Sequence, residues 1–587
     1  MSFQVIPRLA RAALVAPLAL TCVVGASAQV LPGGRSVPSG PAVRPKPAAP
    51  RLRTPAPEPP TAAKKSAPEP SPTRVARPRE RDRATQRARR NAPDPTPVRR
   101  ERTQEARAKS EAVKNTRVSS PERPRANVTG VAGVAASALR LGDEAADATP
   151  PRYAEAERHY RSAMGSSAHA FDAHARLGAL YFEQGRYSDS AEAYRQAARL
   201  KPSDAQAHYF LGESYARLNR HAEAVEALER AVSLDSTSAA AQFSLGNAYD
   251  HAGRREEAAR AFKEAARLRP DYAEALYNLG TTYEELGRNA EAVESYRRAT
   301  AARPDFVEAH FNLGNAYARA GLFDAAVESF KRATRLRPAY AEAFYNLGNA
   351  YDARRSFAEA VEAFREALRL RPDFADAQLN LGNAYLKWGR NDEAADALAR
   401  AARMRPASPV AHNNLGYTLY RAGRFDEAAA ALREAHRLAP EQPEVLINLG
   451  AAEAGAGRFE EAVAALERAT KLRPDSAEAY SYLASAYLAL NRKGDAAASL
   501  KRATELRPDD GRAALGLGVV YYQWGKYDDA IPSLRRALEL EPALAEPHYW
   551  LALSLYAKGQ KAAAREHYNV LKTPRPDLAQ KLSQLFK

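Results

Sequence analysis

Only one cysteine, Cys22, occurs in the 587 residues, with three methionines and three tryptophans. A lone thiol can form neither an internal disulfide nor a thiolate metal cluster. Long hydrophobic runs are missing too: the uncharged stretch from Ala12 to Gly25 is 14 residues, short of the ~20 that a membrane-spanning helix needs. Also missing are a His-Glu-x-x-His motif, a phosphate-cradling glycine loop and a Gly-x-Ser-x-Gly elbow. Their absence removes the usual signatures of zinc hydrolases, nucleotide-dependent enzymes and serine hydrolases, so no catalytic residue, metal or cofactor is expected.

Basic charge is plentiful but unevenly placed. The net charge is +17, which suggests a nucleic-acid partner until it is located. Residues 29–130 carry 24 Lys and Arg against 9 Asp and Glu, and Arg8 and Arg11 add two more basic groups. Residues 131–587 hold 61 of each sign and are formally neutral. The basicity belongs to an N-terminal arm. That arm also holds 19 of the 39 prolines and almost no large apolar residue, so burial cannot offset the entropy of ordering it. A disordered linker is expected, stiffened where Pro55 to Pro60 favour polyproline geometry, with a short helix around Arg99 to Lys114. It reads either as a spacer or as an electrostatic foot on an anionic surface.

Residues 1–28 have the form of a secretory signal: Arg8 and Arg11, the apolar run, then the small residues Ala26-Ser27-Ala28. Cleavage at Ala28 would export the chain to the periplasm or beyond and would remove Cys22, which the preceding Ala19-Leu20-Thr21 makes a poor lipoprotein site. An uncleaved interfacial anchor and a mitochondrial presequence are the other readings of this segment.

From about residue 150 the chain repeats every 34 residues without insertion or deletion across twelve units. With each unit numbered 1 to 34 from Phe171, place 7 is leucine in all twelve, Leu177 to Leu551. Place 8 is glycine except at Ala484 and Ala552, and place 20 is alanine except at Ser190. Place 27 is alanine until Leu571, and place 32 is proline except at Ser236. Places 4, 7, 8 and 11 form one stripe of a helix. Place 15, glycine nine times, asparagine twice and arginine at Arg355, asks for a left-handed residue that ends the first helix. Proline at place 32 ends the second. One such hairpin cannot bury its own apolar face, so neighbours must stack. Arg152-Tyr153 and Tyr160 repeat Arg186-Tyr187 and Tyr194, marking a partial unit in front.

This 34-residue period, with segments such as Ala341 to Tyr351, resembles the tetratricopeptide repeat family. The resemblance implies an all-α, right-handed superhelical solenoid of about 12–13 helical hairpins whose first helices line a concave groove. The solenoid spans 131–575, and 576–587 form a capping helix with Leu578, Leu582, Leu585 and Phe586 on one face. A membrane-binding tail is the other reading of that stripe.

The candidate site lies on the first helix opposite its buried stripe. Place 6 is asparagine six times running, at Asn278, Asn312, Asn346, Asn380, Asn414 and Asn448. Place 9 adds Asn247, Asn315, Asn349 and Asn383. Place 5 is aromatic at Tyr209, Phe243, Tyr277, Phe311 and Tyr345, and place 2 is acidic at Glu274, Glu308, Glu342 and Asp376. An amide both donates and accepts, so it can pair with any peptide backbone. Aromatics offer contact area, and carboxylates favour basic partners. The pattern is similar to the asparagine ladder in the repeat region of O-linked N-acetylglucosamine transferases, a family that binds extended peptides there. The resemblance stops at the groove, since no catalytic domain follows. The same asparagines can instead bond locally between neighbouring helices. The two-carboxylate clamp known in tetratricopeptide proteins needs basic residues in the groove, and place 5 offers none.

Beyond Asn448, place 6 becomes Tyr482, Gly516 and Trp550, which suggests a second, more apolar site. Five of the eleven histidines fall at place 4, His174, His208, His310, His412 and His548, and read as packing residues. The function expected is a non-catalytic scaffold in the cell envelope that holds a protein or an extended peptide. The alternatives are an anionic-polymer binder working through the basic arm and a non-catalytic subunit of an envelope enzyme complex.

Overall fold

The structure is a computed structural model that describes residues 131–586. The signal-like segment, the basic arm and its expected helix at 99–114 lie outside the described residues. Among those described there are 27 α-helices and no strand. They fall into two compact units, one holding 131–184 with 199–201, the other 185–198 and 202 onward.

In the first unit, helix Val131–Ala146 pairs with Tyr153–Ala163. Tyr160 lies against Gly142 so closely that a Cβ there would sit 2.4 Å from its ring. The Tyr160 hydroxyl donates to Asp143 at 2.8 Å, and Arg176 reaches the same carboxylate at 2.9 Å. The partial unit is thus a true hairpin, but its spacing is longer than in the repeats that follow. The chain takes 18 residues from Gly142 to Tyr160, against 16 from Gly246 to Phe262.

The second unit is a solenoid of helical hairpins. Helices such as Ala273–Glu285 and Asn289–Ala302 pair within a repeat, and each pair packs on the next. Two backbone requirements make this possible. Place 15 is left-handed throughout, and Arg355 adopts it too at φ 63°, beside Asn219 at 58° and Asn491 at 60°. A side chain with a Cβ is strained there, so Arg355 marks a position where the repeat dictates the backbone whatever residue it holds. In the units that carry a large ring at place 24, place 8 leaves no room for a Cβ at Gly280, Gly314 or Gly348: one added there would lie 2.6–2.7 Å from the rings of Tyr296, Phe330 or Phe364. Those three rings are among the largest fully buried side chains.

The place-4 histidines are tied to the preceding turn. His208, His310 and His412 each lie 3.1–3.3 Å from the carbonyl of the proline six residues before. His548 faces His567 instead, Nδ1 to Nδ1 at 2.8 Å. At the C-terminal end, helix Pro576–Leu582 and the turn Ser583–Leu585 cover the last hairpin. Leu582 is buried with Ala552, Leu571 and Ala579, while Leu578, Leu585 and Phe586 pack at the edge. The terminal stripe is therefore used inside the fold as a cap. Among the described residues no helix is long and apolar enough to cross a membrane.

Candidate functional site

The asparagines do come together, and they do so across repeats. Asn278, Asn346, Asn380 and Asn414 each donate through Nδ2 to the place-9 amide of the preceding unit: Asn247, Asn315, Asn349 and Asn383, at 2.8–3.0 Å. Asn312 donates to the Tyr277 hydroxyl at 3.0 Å, and Asn380 also reaches that of Tyr345 at 3.2 Å. Asn448 ends the series on Asn413 at 3.0 Å. Asn312, Asn315, Asn383, Asn414 and Asn448 are buried, whereas Asn247, Asn278, Asn346, Asn349 and Asn380 are half-buried. The half-buried place-6 amides use their donors in the ladder. Among the described residues no hydrogen bond reaches their Oδ1 oxygens, at Asn278, Asn346 and Asn380.

The aromatic series is placed differently from the expectation of a contact surface. Tyr277, Phe311 and Tyr345 are only 2–8% exposed. Each lies between two rings of its own repeat, at places 24 and 34. For Tyr345 these are Phe364 and Phe374, with centroids 5.9 and 4.8 Å away. Phe311 has Phe330 and Tyr340, and Tyr277 has Tyr296 and Phe306. Ring-on-ring packing is worth more than solvent exposure of the same area, so these residues are core. The supposed second site is likewise filled: Tyr482 and Trp550 are 4% and 6% exposed, and Trp550 packs on Tyr522 at 5.2 Å.

The acidic series meets its basic partner within the chain. Glu274, Glu308 and Glu342 pair with Arg303, Arg337 and Arg371, and Asp376 with Arg405 at 2.7 Å. Glu444 pairs with Arg473, and Glu546 with Arg575 at 2.7 Å. In every case the arginine stands at place 31, 29 residues on. The guanidiniums of Arg303, Arg337 and Arg371 also lie over the place-34 rings of Phe306, Tyr340 and Phe374, 4.6–5.0 Å from their centroids. Places 31 and 34 carry no weight in the sequence reading above, although the recurrence of arginine and of aromatics there is visible at the same period.

Glu478, also at place 2, has no such closure. Among the described residues it makes no ion pair with Arg507, its place-31 counterpart, and its Oε1 is buried without a hydrogen-bond partner. Burial raises its pKa to about 7 against the opposing pull of Arg507 and Arg473. A cavity of about 170 Å³ opens beside it, lined by Ile447, Asn448 and Ser476 and by five charged residues, Glu444, Asp475, Glu478, Arg473 and Arg507. Among the described residues no group of three or more His, Cys, Asp or Glu could hold a metal.

Three family models match this chain. One, described as the C-terminal domain of cilia and flagella-associated protein 70, matches residues 102–343 and 306–515. A TPR repeat model matches 520–559 and a tetratricopeptide repeat model 548–573. No curated protein sequence matches. Among solved structures, YrrB, described as a TPR protein with an unusual peptide-binding site, is 29% identical. The match covers 32% of this chain and 96% of YrrB, with a TM-score of 0.30. MamA is 31% identical over 28% of this chain and 95% of its own, with a TM-score of 0.27. The Cut9–Hcn1 hetero-tetramer of the APC/C is 16% identical over 77% of this chain and 96% of that one, with a TM-score of 0.34.

Proposed function

The chain belongs to the tetratricopeptide repeat proteins, and on that premise we propose that it is an exported, non-catalytic scaffold that holds an extended protein segment along its first helices. The observation that carries this reading is the set of open Oδ1 oxygens at Asn278, Asn346 and Asn380. Their amides are fixed by the ladder, so each oxygen is a pre-oriented acceptor for a backbone N–H of whatever sequence lies across it. The place-2 carboxylates are partly neutralised by their arginines and set the polarity of the rim without demanding a strongly basic partner.

Export rests on the signal-like segment. Mass spectrometry of the protein recovered from the cell envelope should find a mature N-terminus at Gln29. The basic arm at 29–130 is proposed as reach, or as a foot on an anionic surface. Binding to anionic polymer that falls steeply with salt, and vanishes on removing the arm, would support the foot.

The test of the scaffold is affinity capture from an envelope extract with the intact chain and with an Asn346→Ala, Asn380→Ala variant whose helicity is confirmed by circular dichroism. Partners held by the first and lost by the second are expected. The same partners on both baits would move the binding surface away from these amides.

A further inference from the structure

The first described helix leaves open a stripe that the later repeats bury. Tyr160 lies on Gly142 as Phe364 lies on Gly348, so Leu141-Gly142 is the Leu-Gly of the leading unit. Its places 3 and 7 are Ser137 and Leu141, one and two turns beyond Val134 on the same helix face. In the twelve regular units place 3 is buried throughout, and place 7 is buried in eleven, with Leu415 half-buried. In the leading unit Ser137 is exposed, Leu141 is 40% exposed and Val134 70%. Elsewhere the cover is the second helix of the preceding unit: Ala343 and Leu347 share a buried cluster with Ala326, Val327 and Phe330. At the other end of the array Leu582 and its neighbours close the last hairpin. The leading face has no such cover among the described residues.

We propose that residues 102–114 of the basic arm form the missing second helix and dock on this face as the N-terminal cap of the solenoid. The occupant is identified by its own sequence. Arg102 to Ala106 carries the pattern Arg-x-x-Glu-Ala, which recurs at Arg152, Arg220, Arg254, Arg288, Arg390, Arg424 and Arg458. Each of those seven arginines stands at the N-cap of a second helix. At Arg220, Arg254, Arg288 and Arg424 the guanidinium donates to the glutamate three residues on, at 2.8–3.2 Å. That pair holds a carboxylate in the first turn, where the helix dipole favours it. The family-model match opens at the same residue, 102, well ahead of Val131. In this register Ala106 falls at place 20 and Val113 at place 27, the alanine places of the regular second helices. Place 24 is Ser110. In a full hairpin that place covers the glycine of its own first helix, as Phe364 covers Gly348. A lone second helix has no such glycine to cover, and a terminal cap keeps its outer side polar. Arg107 puts a charge at place 21, as the end hairpins do with Glu157 and Arg565. Residues 115–130 make the connection to Val131; at ~3.3 Å per extended residue they span several times the ~10 Å between packed helix axes. The arm that reaches outward then ends at residue 101, and the leading face is closed to other partners.

The test is amide hydrogen exchange, read by mass spectrometry, on the intact chain and on variants of each side of the contact. Leu141→Lys charges the docking face at a site 40% exposed, and Val134→Lys does so at one 70% exposed, which keeps the test open if the first loosens the hairpin itself. Ala106→Pro breaks the incoming helix. In the intact chain residues 103–114 should exchange at least ten-fold more slowly than a free peptide of the same sequence. The face variants and Ala106→Pro should each abolish that protection, and Ala106→Pro should also speed exchange in Val131–Ala146. Exchange at the free-peptide rate in the intact chain overturns the cap. Protection of 103–114 that survives both face variants means a helix formed without docking, and overturns it too. Sedimentation of the same samples tests the other occupant. A dimer that Leu141→Lys dissociates, with 103–114 unprotected, assigns the face to a second copy and overturns the intrachain cap. None of these readouts depends on the scaffold reading.

Discussion

The unit from 341 to 374 and the unit from 443 to 476 follow one plan and treat the same places differently. In the earlier unit places 2, 5, 6, 31 and 34 are tied together or to the unit before: acid on arginine, arginine over ring, ring on ring, and the Asn346 amide on Asn315. In the later unit the acid still meets its arginine, but both rings are gone and the following carboxylate is left without a hydrogen bond. A residue pattern that recurs perfectly is therefore evidence of mutual satisfaction between repeats as much as of a ligand. The break in the pattern is where a buried polar group is left without a partner.

The largest effect that would sharpen this contrast is expected from Tyr345→Ala. It removes a buried ring held by Phe364, Phe374 and Asn380 and should cost about 3–5 kcal/mol locally. Amide hydrogen exchange would show lost protection confined to the neighbouring repeats, because a solenoid opens in segments. Protection unchanged there would mean that the ring column is not what holds the repeats together.

Next comes Asn380→Ala, which deletes two donated hydrogen bonds and should lower stability by about 1–3 kcal/mol. A neutral result in denaturant unfolding would break the view that the ladder joins repeats.

Glycine replacements give a paired comparison. A Cβ at Gly348 would meet the Phe364 ring at 2.6 Å, whereas one at Gly516 meets Leu500 at 3.3 Å. Gly348→Ala should destabilise by about 1–2 kcal/mol through overpacking. Gly516→Ala should be neutral, or stabilising by up to ~1 kcal/mol from helix propensity. Thermal unfolding of the two variants side by side checks the difference in sign.

The smallest effect expected is a pH dependence at Glu478. Its folded pKa of about 7 stands above the ordinary 4.5. The stability linked to it is full below the unfolded value and is lost as pH rises through 7. Arg473 and Arg507 face it, with Glu444 and Asp475 lining the same cavity. Glu478→Gln, neutral at every pH, should gain on the order of 1 kcal/mol over the parent at pH 8, after allowance for solvent screening, and nothing at pH 4. Unfolding midpoints at pH 4, 6 and 8 measure the gain, and a gain independent of pH would mean that the carboxylate is not the cause.

Much of this architecture is legible in the chain because the repeat states it twelve times. Leucine at place 7, a left-handed place 15 and proline at place 32 fix helix, turn and helix from local chemistry, and Arg355 at φ 63° shows the repeat overriding a residue's own preference. The asparagine ladder was legible as a row, since equal spacing must align equivalent residues. Which neighbour each amide chooses was not. Asn278 reaches back 31 residues to Asn247, and Asn448 reaches 35 to Asn413, a choice set by the stagger of adjacent helices. The burial of Tyr277, Phe311 and Tyr345 is not legible in the sequence for the same reason: helical periodicity says which way a ring points but not what stands opposite it. The cavity at Ser476 is the clearest case. The sequence by itself determined the hairpins, their number and their register, because those follow from periodicity and backbone conformation. Only the tertiary structure decided which polar groups satisfy one another and which are left over, because that depends on distances between residues some thirty positions apart.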